Sequence, residues 1–246
     1  MTLRRLLAPL LAFPGAVWAS HPLMTEDTGV LGAARWQVEL HGERSRDREA
    51  GARTRGADAS GVLSYGITEQ ADVQLELPYL RKETGGDVVK GRGDASASLK
   101  WRFFERDRLS LVVKPDLHLP TGREELGLGA GRARWGTDFV ASYQFGPLEL
   151  LGHAGYLRNR NRIGERVSLW HTSIAALYAA TDKLKLALDV GRDTNPDPES
   201  GSAMRELVLG LVYALSDDVD LGLGVKKGLS DPADDRAVLA GLKFRW

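Results

Sequence analysis

From residue 35 onward, apolar residues recur at every second position in one segment after another, which is the period of a β-strand and not of a helix. In one segment Ala71, Val73, Leu75, Leu77 and Tyr79 share a face, with Asp72, Gln74 and Glu76 on the other. Another sets Ala95, Ala97, Leu99, Trp101 and Phe103 against Asp94, Ser96, Ser98, Lys100 and Arg102. The pattern predicts twelve strands, near 35–43, 57–67, 71–79, 93–103, 109–119, 134–145, 148–157, 167–180, 183–192, 204–214, 219–227 and 236–246. Most approach the ~9 to 11 residues that a tilted strand needs to cross a bilayer, and an even number lets an antiparallel barrel close with both ends of the sheet on one side.

The connections alternate in length. Tight turns fall at Thr68-Glu69-Gln70, Glu105 to Arg108, Gly146-Pro147, Thr181-Asp182 and Ser216 to Asp218; longer polar loops fall near 44–56, 80–92, 120–133, 158–166, 193–203 and 228–235. Short turns on the periplasmic side and longer loops outside are the asymmetry of a bacterial transmembrane barrel, and a soluble sandwich has no reason to keep it through twelve strands. The expected fold is therefore all-β, a closed antiparallel transmembrane β-barrel over residues 35–246. A mean hydropathy of -0.25 and 27% charged residues do not oppose it. Lipid-facing and lumen-facing residues alternate, so a barrel averages to near-neutral hydropathy.

Aromatic residues give an independent check, because Trp and Tyr collect at the two membrane interfaces. With the first strand running outward, Trp36, Tyr65, Phe103, Tyr143, Phe145, Tyr178, Tyr213 and Trp246 fall at the periplasmic rim, and Tyr79, Trp135, Tyr156 and Trp170 at the outer rim.

Upstream, Arg4 and Arg5 precede a short apolar core from Leu6 to Val17, and Val17-Trp18-Ala19 offers small residues for cleavage. Residues 1–19 are thus expected to be a cleaved signal peptide, which places the mature chain in the bacterial outer membrane. Residues 20–34 form a periplasmic segment long enough to enter the lumen, the alternative being a flexible tail. The absence of cysteine removes disulfides and thiolate metal sites, and 33 basic against 33 acidic residues argue against a nucleic-acid surface. No cofactor or metal is expected.

The stretch His21-Pro22-Leu23-Met24-Thr25-Glu26-Asp27-Thr28-Gly29, followed by Gly32-Ala33-Ala34-Arg35-Trp36-Gln37-Val38-Glu39-Leu40, resembles the opening of the MetA-pathway family of phenol degradation, a family of outer-membrane transporters. Tyr65-Gly66-Ile67-Thr68, Leu77-Pro78-Tyr79, Gly93-Asp94 with Ser98-Leu99-Lys100-Trp101-Arg102-Phe103, and Leu119-Pro120-Thr121-Gly122 resemble its strand and turn pattern in the same order. The resemblance implies a channel for passive uptake of small molecules, hydrophobic or aromatic ones among them, and implies no catalytic residues. The final strand, ending on Phe244 and Trp246, resembles the C-terminal signal read by the barrel-assembly machinery.

Candidate lumen-lining and selectivity residues are Glu39, Glu76, Asp94, Lys100, Arg102, Lys114, Asp116, His118, Asp138, His171, Lys185 and Arg245; His41, His153, Lys183, Asp189, Glu206 and Lys243 share the inward face. Such a lining either solvates a pore or pairs internally into a plug, and both readings stay open. Lys114, Asp116 and His118 are expected to face Asp94, Ser96 and Ser98 across one strand pair. His171-Thr172-Ser173 has the spacing of an outer-membrane lipid hydrolase, but no Asn on a neighbouring strand is placed to orient the imidazole. The chain is expected not to be an enzyme; a hydrolase and a structural barrel acting through its loops are the alternatives. Arg158, Arg160, Arg162 and the arginines from 44 to 55 are candidates for lipopolysaccharide phosphates. Partners are thus membrane lipid, a small solute and the assembly machinery, with oligomeric state open.

Overall fold

The computed structural model describes residues 21–49 and 52–246; the expected signal peptide lies outside them. Thirteen strands form a single sheet: β1 (Trp36–Glu49), β2 (Ala52–Thr68), β3 (Ala71–Thr84), β4 (Asp87–Arg92), β5 (Ser96–Arg106), β6 (Leu109–His118), β7 (Arg134–Phe145), β8 (Leu148–Arg158), β9 (Ser168–Ala179), β10 (Leu184–Asp193), β11 (Met204–Ser216), β12 (Val219–Gly228) and β13 (Arg236–Arg245). Each long strand pairs antiparallel with its sequence neighbour, and β1 also pairs with β13, from Gln37 opposite Arg245 to Arg46 opposite Arg236. That pairing closes the barrel wall and leaves none of its twelve strands with an open edge in hydrocarbon, which would cost several kcal/mol per unsatisfied group. Twelve strands make the wall. The short β4 pairs only with the upper part of β3, while the lower part of β3 pairs with β5.

Two of the expected loops are strand. Residues 44–49 and 52–56 extend β1 and β2 into one long hairpin, and 80–84 with 87–92 form a second. These stretches extend beyond the hydrocarbon, so no apolar alternation marks them as strand. At the opposite end the turns are tight. Asp107, at φ 55°, and Gly146, at φ 58°, supply the left-handed backbone that two of them require.

The outer face is apolar along every long strand: Leu40, Leu63, Leu77, Leu99, Leu117, Phe139, Leu150, Ile174, Leu188, Leu209, Val225 and Val238 are all exposed. An apolar surface of that extent needs lipid. The rings meet in tilted and edge-on pairs at the rims. Trp36 on Tyr65 and Tyr143 on Phe145 lie at 4.5 Å at the periplasmic end, and Trp135, Tyr156 and Trp170 follow one another at 6.1 and 4.8 Å at the outer end. The chain ends in this pattern, Trp36 and Trp246 exchanging backbone hydrogen bonds of 3.0 and 3.1 Å across the seam.

Candidate functional site

The inward faces of the strands meet residues 21–31. His21 stacks on His41 of β1 at 5.1 Å and lies against Gly241 of β13. Pro22 sits over Gly210, Gly222 and Gly224 of β11 and β12, and Leu23 packs on the cluster of Leu151, Ala175, Leu177 and Ala187 from β8 to β10. Thr28 bonds Ser142 of β7 at 2.7 Å, and both carboxylate oxygens of Asp72 on β3 accept from the Leu31 N–H at 3.0 Å. Eleven consecutive residues can touch strands on all sides of a closed barrel only from inside it.

Two charged anchors hold this segment. Asp189 on β10 is fully buried and accepts from the N–H of Met24 at 2.7 Å, the N–H of Thr25 at 2.8 Å and the Thr25 hydroxyl at 2.8 Å. The second anchor answers a conflict in the wall. Ser98 lies opposite Asp116 and Trp101 opposite Val113, a register that sets the inward lysines Lys100 and Lys114 side by side on β5 and β6. Like charges in that position repel. Glu26 stands between them, accepting from Lys100 at 3.1 Å and from Lys114, while Asp27 also pairs with Lys100. Burial raises the Glu26 carboxyl, but Lys100 and Lys114 outweigh it and hold the group well below the usual carboxylate range. Burial, and next the neighbouring His41, lower the His21 imidazole to about 4, so it is neutral at pH 7.

Glycines make room for the segment. A Cβ on Gly222 would collide with the His21 carbonyl oxygen and lie 3.2 Å from Pro22 Cδ. Gly222→Ala should therefore lift residues 21 and 22 from the wall while leaving the β12 ladder intact. Limited proteolysis of the refolded barrel would then cut within 21–31 faster than in the parent, and equal rates would contradict the packing.

Outward of the segment lies a cavity of about 380 Å³ lined by Glu76, Ser96, Ser98, Lys114, Asp116, His118, Asp138, His171 and Asp193. Imidazole and carboxylate pair round it, His118 with Asp116 at 2.7 Å and His171 with Asp193 at 2.8 Å, and His153 beside it lies 3.0 Å from Asp138. Of the residues expected to line the lumen, Glu76, Lys114, Asp116, His118, Asp138 and His171 meet in this vestibule. Lys100 is buried beneath Glu26 and Asp27. Glu39 pairs with Lys243 at 3.4 Å, and Arg245 with Asp220 at 2.7 Å, in the periplasmic half; Arg102 pairs with Glu105 at 3.2 Å at that rim. Lys185 faces inward opposite Val212, away from the vestibule.

Two expected positions differ. Asp94 precedes β5 and does not face Lys114, Asp116 or His118; it holds the β6–β7 loop, accepting from the N–H groups of Gly122 and Ala130 and from Arg134. Its flank of Gly93 and Gly122 lets the loop close on it, which strand periodicity does not record. Lys183 lies exposed in the β9–β10 turn, because β10 starts one residue later.

His171 and Ser173 face inward, with Trp170 and Ile174 outside. In place of the Asn that the sequence lacks here, Asp193, directly opposite on β10, orients the imidazole. His171 Nε2 lies 2.9 Å from Ser173 Oγ. The hydroxyl is nonetheless buried under Thr25, whose own hydroxyl lies 2.7 Å away, and it points away from the lipid. Ser173 serves as part of the seat for the N-terminal segment, while His171 and Asp193 line the vestibule above it. Sequence reasoning also missed Glu26 and Asp27. The available signal was a surplus of inward lysine on two adjacent strands, with a Thr-Glu-Asp-Thr run upstream to neutralise it.

The family model described as "Putative MetA-pathway of phenol degradation" matches residues 22–246. The chain belongs to this family. No curated protein sequence matches it. Among solved structures, an outer membrane channel from Pseudomonas putida F1 superposes with a TM-score of 0.73 at 16% identity, over 89% of this chain and 98% of that one. The NanC porin gives 0.60 at 10% identity, over 84% and 98%, and the KdgM porin gives 0.57 at 8%, over 85% and 98%. At these identities the likeness establishes the fold of outer-membrane barrels for this member of the MetA-pathway family.

Proposed function

We propose that this chain is an outer-membrane channel for passive uptake of small molecules, with residues 21–31 as an internal plug. The observation that carries the reading is how the plug is held. Among the described residues, no backbone-to-backbone hydrogen bond ties residues 21–31 to a strand, and the polar links run through side chains. A segment attached in this way can leave without disturbing a wall ladder. The vestibule above it is open enough to receive a small solute and presents hydroxyls, imidazoles and carboxylates within an otherwise narrow barrel. The family's description favours aromatic cargo, and a phenolic hydroxyl would find donors and acceptors there. Phe244 and Trp246 would present the last strand to the barrel-assembly machinery.

Deleting residues 22–31 should turn a nearly closed barrel into a conducting one in planar bilayers and speed solute entry in liposome-swelling assays. A deleted barrel that folds but passes neither ions nor solutes would end the channel reading. It would leave a structural barrel acting through its loops.

A further inference from the structure

The outer rim separates its charges by sign. On β10, β11 and β1 the residues facing the lumen near this rim include the acids Asp193, Glu206 and Glu43, and Lys226 of β12 bridges Glu43 and Glu206 at 2.8 and 3.3 Å. The residues beside them that face outward are cations. Arg192 stands directly opposite Arg205; Lys227 lies opposite Leu207, one outward-facing position from Arg205, and it stands in turn opposite Arg236, Arg236 opposite Arg46, and Arg46 opposite Arg55, so each of the six adjacent strands from β10 round the seam to β2 carries an exposed cation at this rim. Only Arg55 has an ion pair, with Glu83 at 3.4 Å; Arg192, Arg205, Lys227, Arg236 and Arg46 have none among the described residues. Like charges set opposite one another on adjacent strands destabilise a sheet. The pair Arg192 and Arg205 and the run Lys227, Arg236 and Arg46 carry no acid partner among the described residues, and together they form a surface of uncompensated positive charge.

Position identifies the kind of counter-ion. Val190, Val225 and Val238, all exposed in the apolar band, lie two residues below Arg192, Lys227 and Arg236, or about 7 Å along a strand. Arg192, Lys227 and Arg236 thus form the first polar layer above the hydrocarbon on their strands, at headgroup depth on the long-hairpin side, and Arg46 and Arg55 stand level with Arg236 across the seam. From this we infer that the ladder binds the phosphates of the outer-leaflet lipid, the glucosamine phosphates of lipopolysaccharide, with guanidinium groups donating paired hydrogen bonds to phosphate oxygens. The ring occupies one side of the barrel, so it fixes the lipid to the β10–β2 wall, which includes the β1–β13 seam. The inference rests on the outer-membrane reading proposed above, and its test is read with insertion held constant.

The test uses the full mature barrel refolded in neutral detergent, with lipid retention followed by native mass spectrometry. The probes are lipid A carrying both phosphates, lipid A stripped of phosphate, and inorganic phosphate alone. Bisphosphorylated lipid A should be retained and the stripped form lost. The variant Arg192→Gln/Arg205→Gln/Lys227→Gln/Arg236→Gln should bind the bisphosphorylated form about a hundredfold more weakly. Without lipid, the same variant should unfold at a temperature no lower than the parent, because the repulsion is gone; with lipid A it should unfold lower. Should the quadruple variant fail to fold, Arg192→Gln/Arg205→Gln and Lys227→Gln/Arg236→Gln are compared separately. Equal retention of stripped lipid A, or unchanged binding by the variants, overturns the inference. Stabilisation by inorganic phosphate equal to that by lipid A would overturn the lipid as source. None of these results bears on whether the barrel inserts or conducts.

Discussion

Glu26→Gln should unlatch the N-terminal segment and, in the channel proposed above, raise the open fraction. The carboxylate neutralises two lysines that strand register forces together, and glutamine keeps its shape while removing its charge. Lys100 retains Asp27, but Lys114 loses its bonded anion. Breaking a buried pair by neutralising one partner costs about 3 to 5 kcal/mol; because Glu26 is partly exposed and Lys100 stays paired, about 3 kcal/mol is the better figure here. That corresponds to roughly a hundredfold change in the balance between docked and released segment. Single-channel recording should show long openings in Glu26→Gln that are rare in the parent, while Glu26→Asp, which keeps the charge, should stay closer to the parent. The same open probability in all three proteins would mean that Glu26 does not latch the segment.

Ile174→Arg should cost the barrel about 2 to 4 kcal/mol in lipid, because the side chain lies at the middle of β9 and a guanidinium there must leave water. Ile174 is 70% exposed, so in a water-surrounded protein the same change would cost little. The contrast is the test. Urea unfolding of liposome-embedded barrel should show the full penalty, and unfolding in small detergent micelles, which admit water more readily, should show less. A cost near zero in bilayers would mean that this face does not meet hydrocarbon. Arg192, on the neighbouring strand but at the rim, is tolerated because its charge reaches headgroups.

The barrel was legible wherever lipid dictates the sequence. Between the two rims each residue faces either hydrocarbon or lumen, so Val73, Leu75 and Leu77 alternate with Asp72, Gln74 and Glu76, and the strands could be counted. Beyond the rims that rule lapses. Residues 44–56 read as an Arg-rich loop, yet all but the tip form strands held by ladder hydrogen bonds that any side chain permits.

The lumen follows the same division. Which residues point inward is a matter of parity, so Glu39, Lys100, Lys114, Asp116, His118 and Arg245 were identified by the chain's own period. Which of them meet is a matter of closure and register. Only the folded barrel brings Lys100 beside Lys114, lays Asp193 against His171, and returns Glu26 to the wall across 74 and 88 residues of sequence. The sequence by itself determined the strands, their faces and the membrane that surrounds them, because those follow from local alternation. The tertiary structure decided that the lumen is occupied and by what, because neutralising the inward lysines depends on groups that are neighbours only after the sheet has closed.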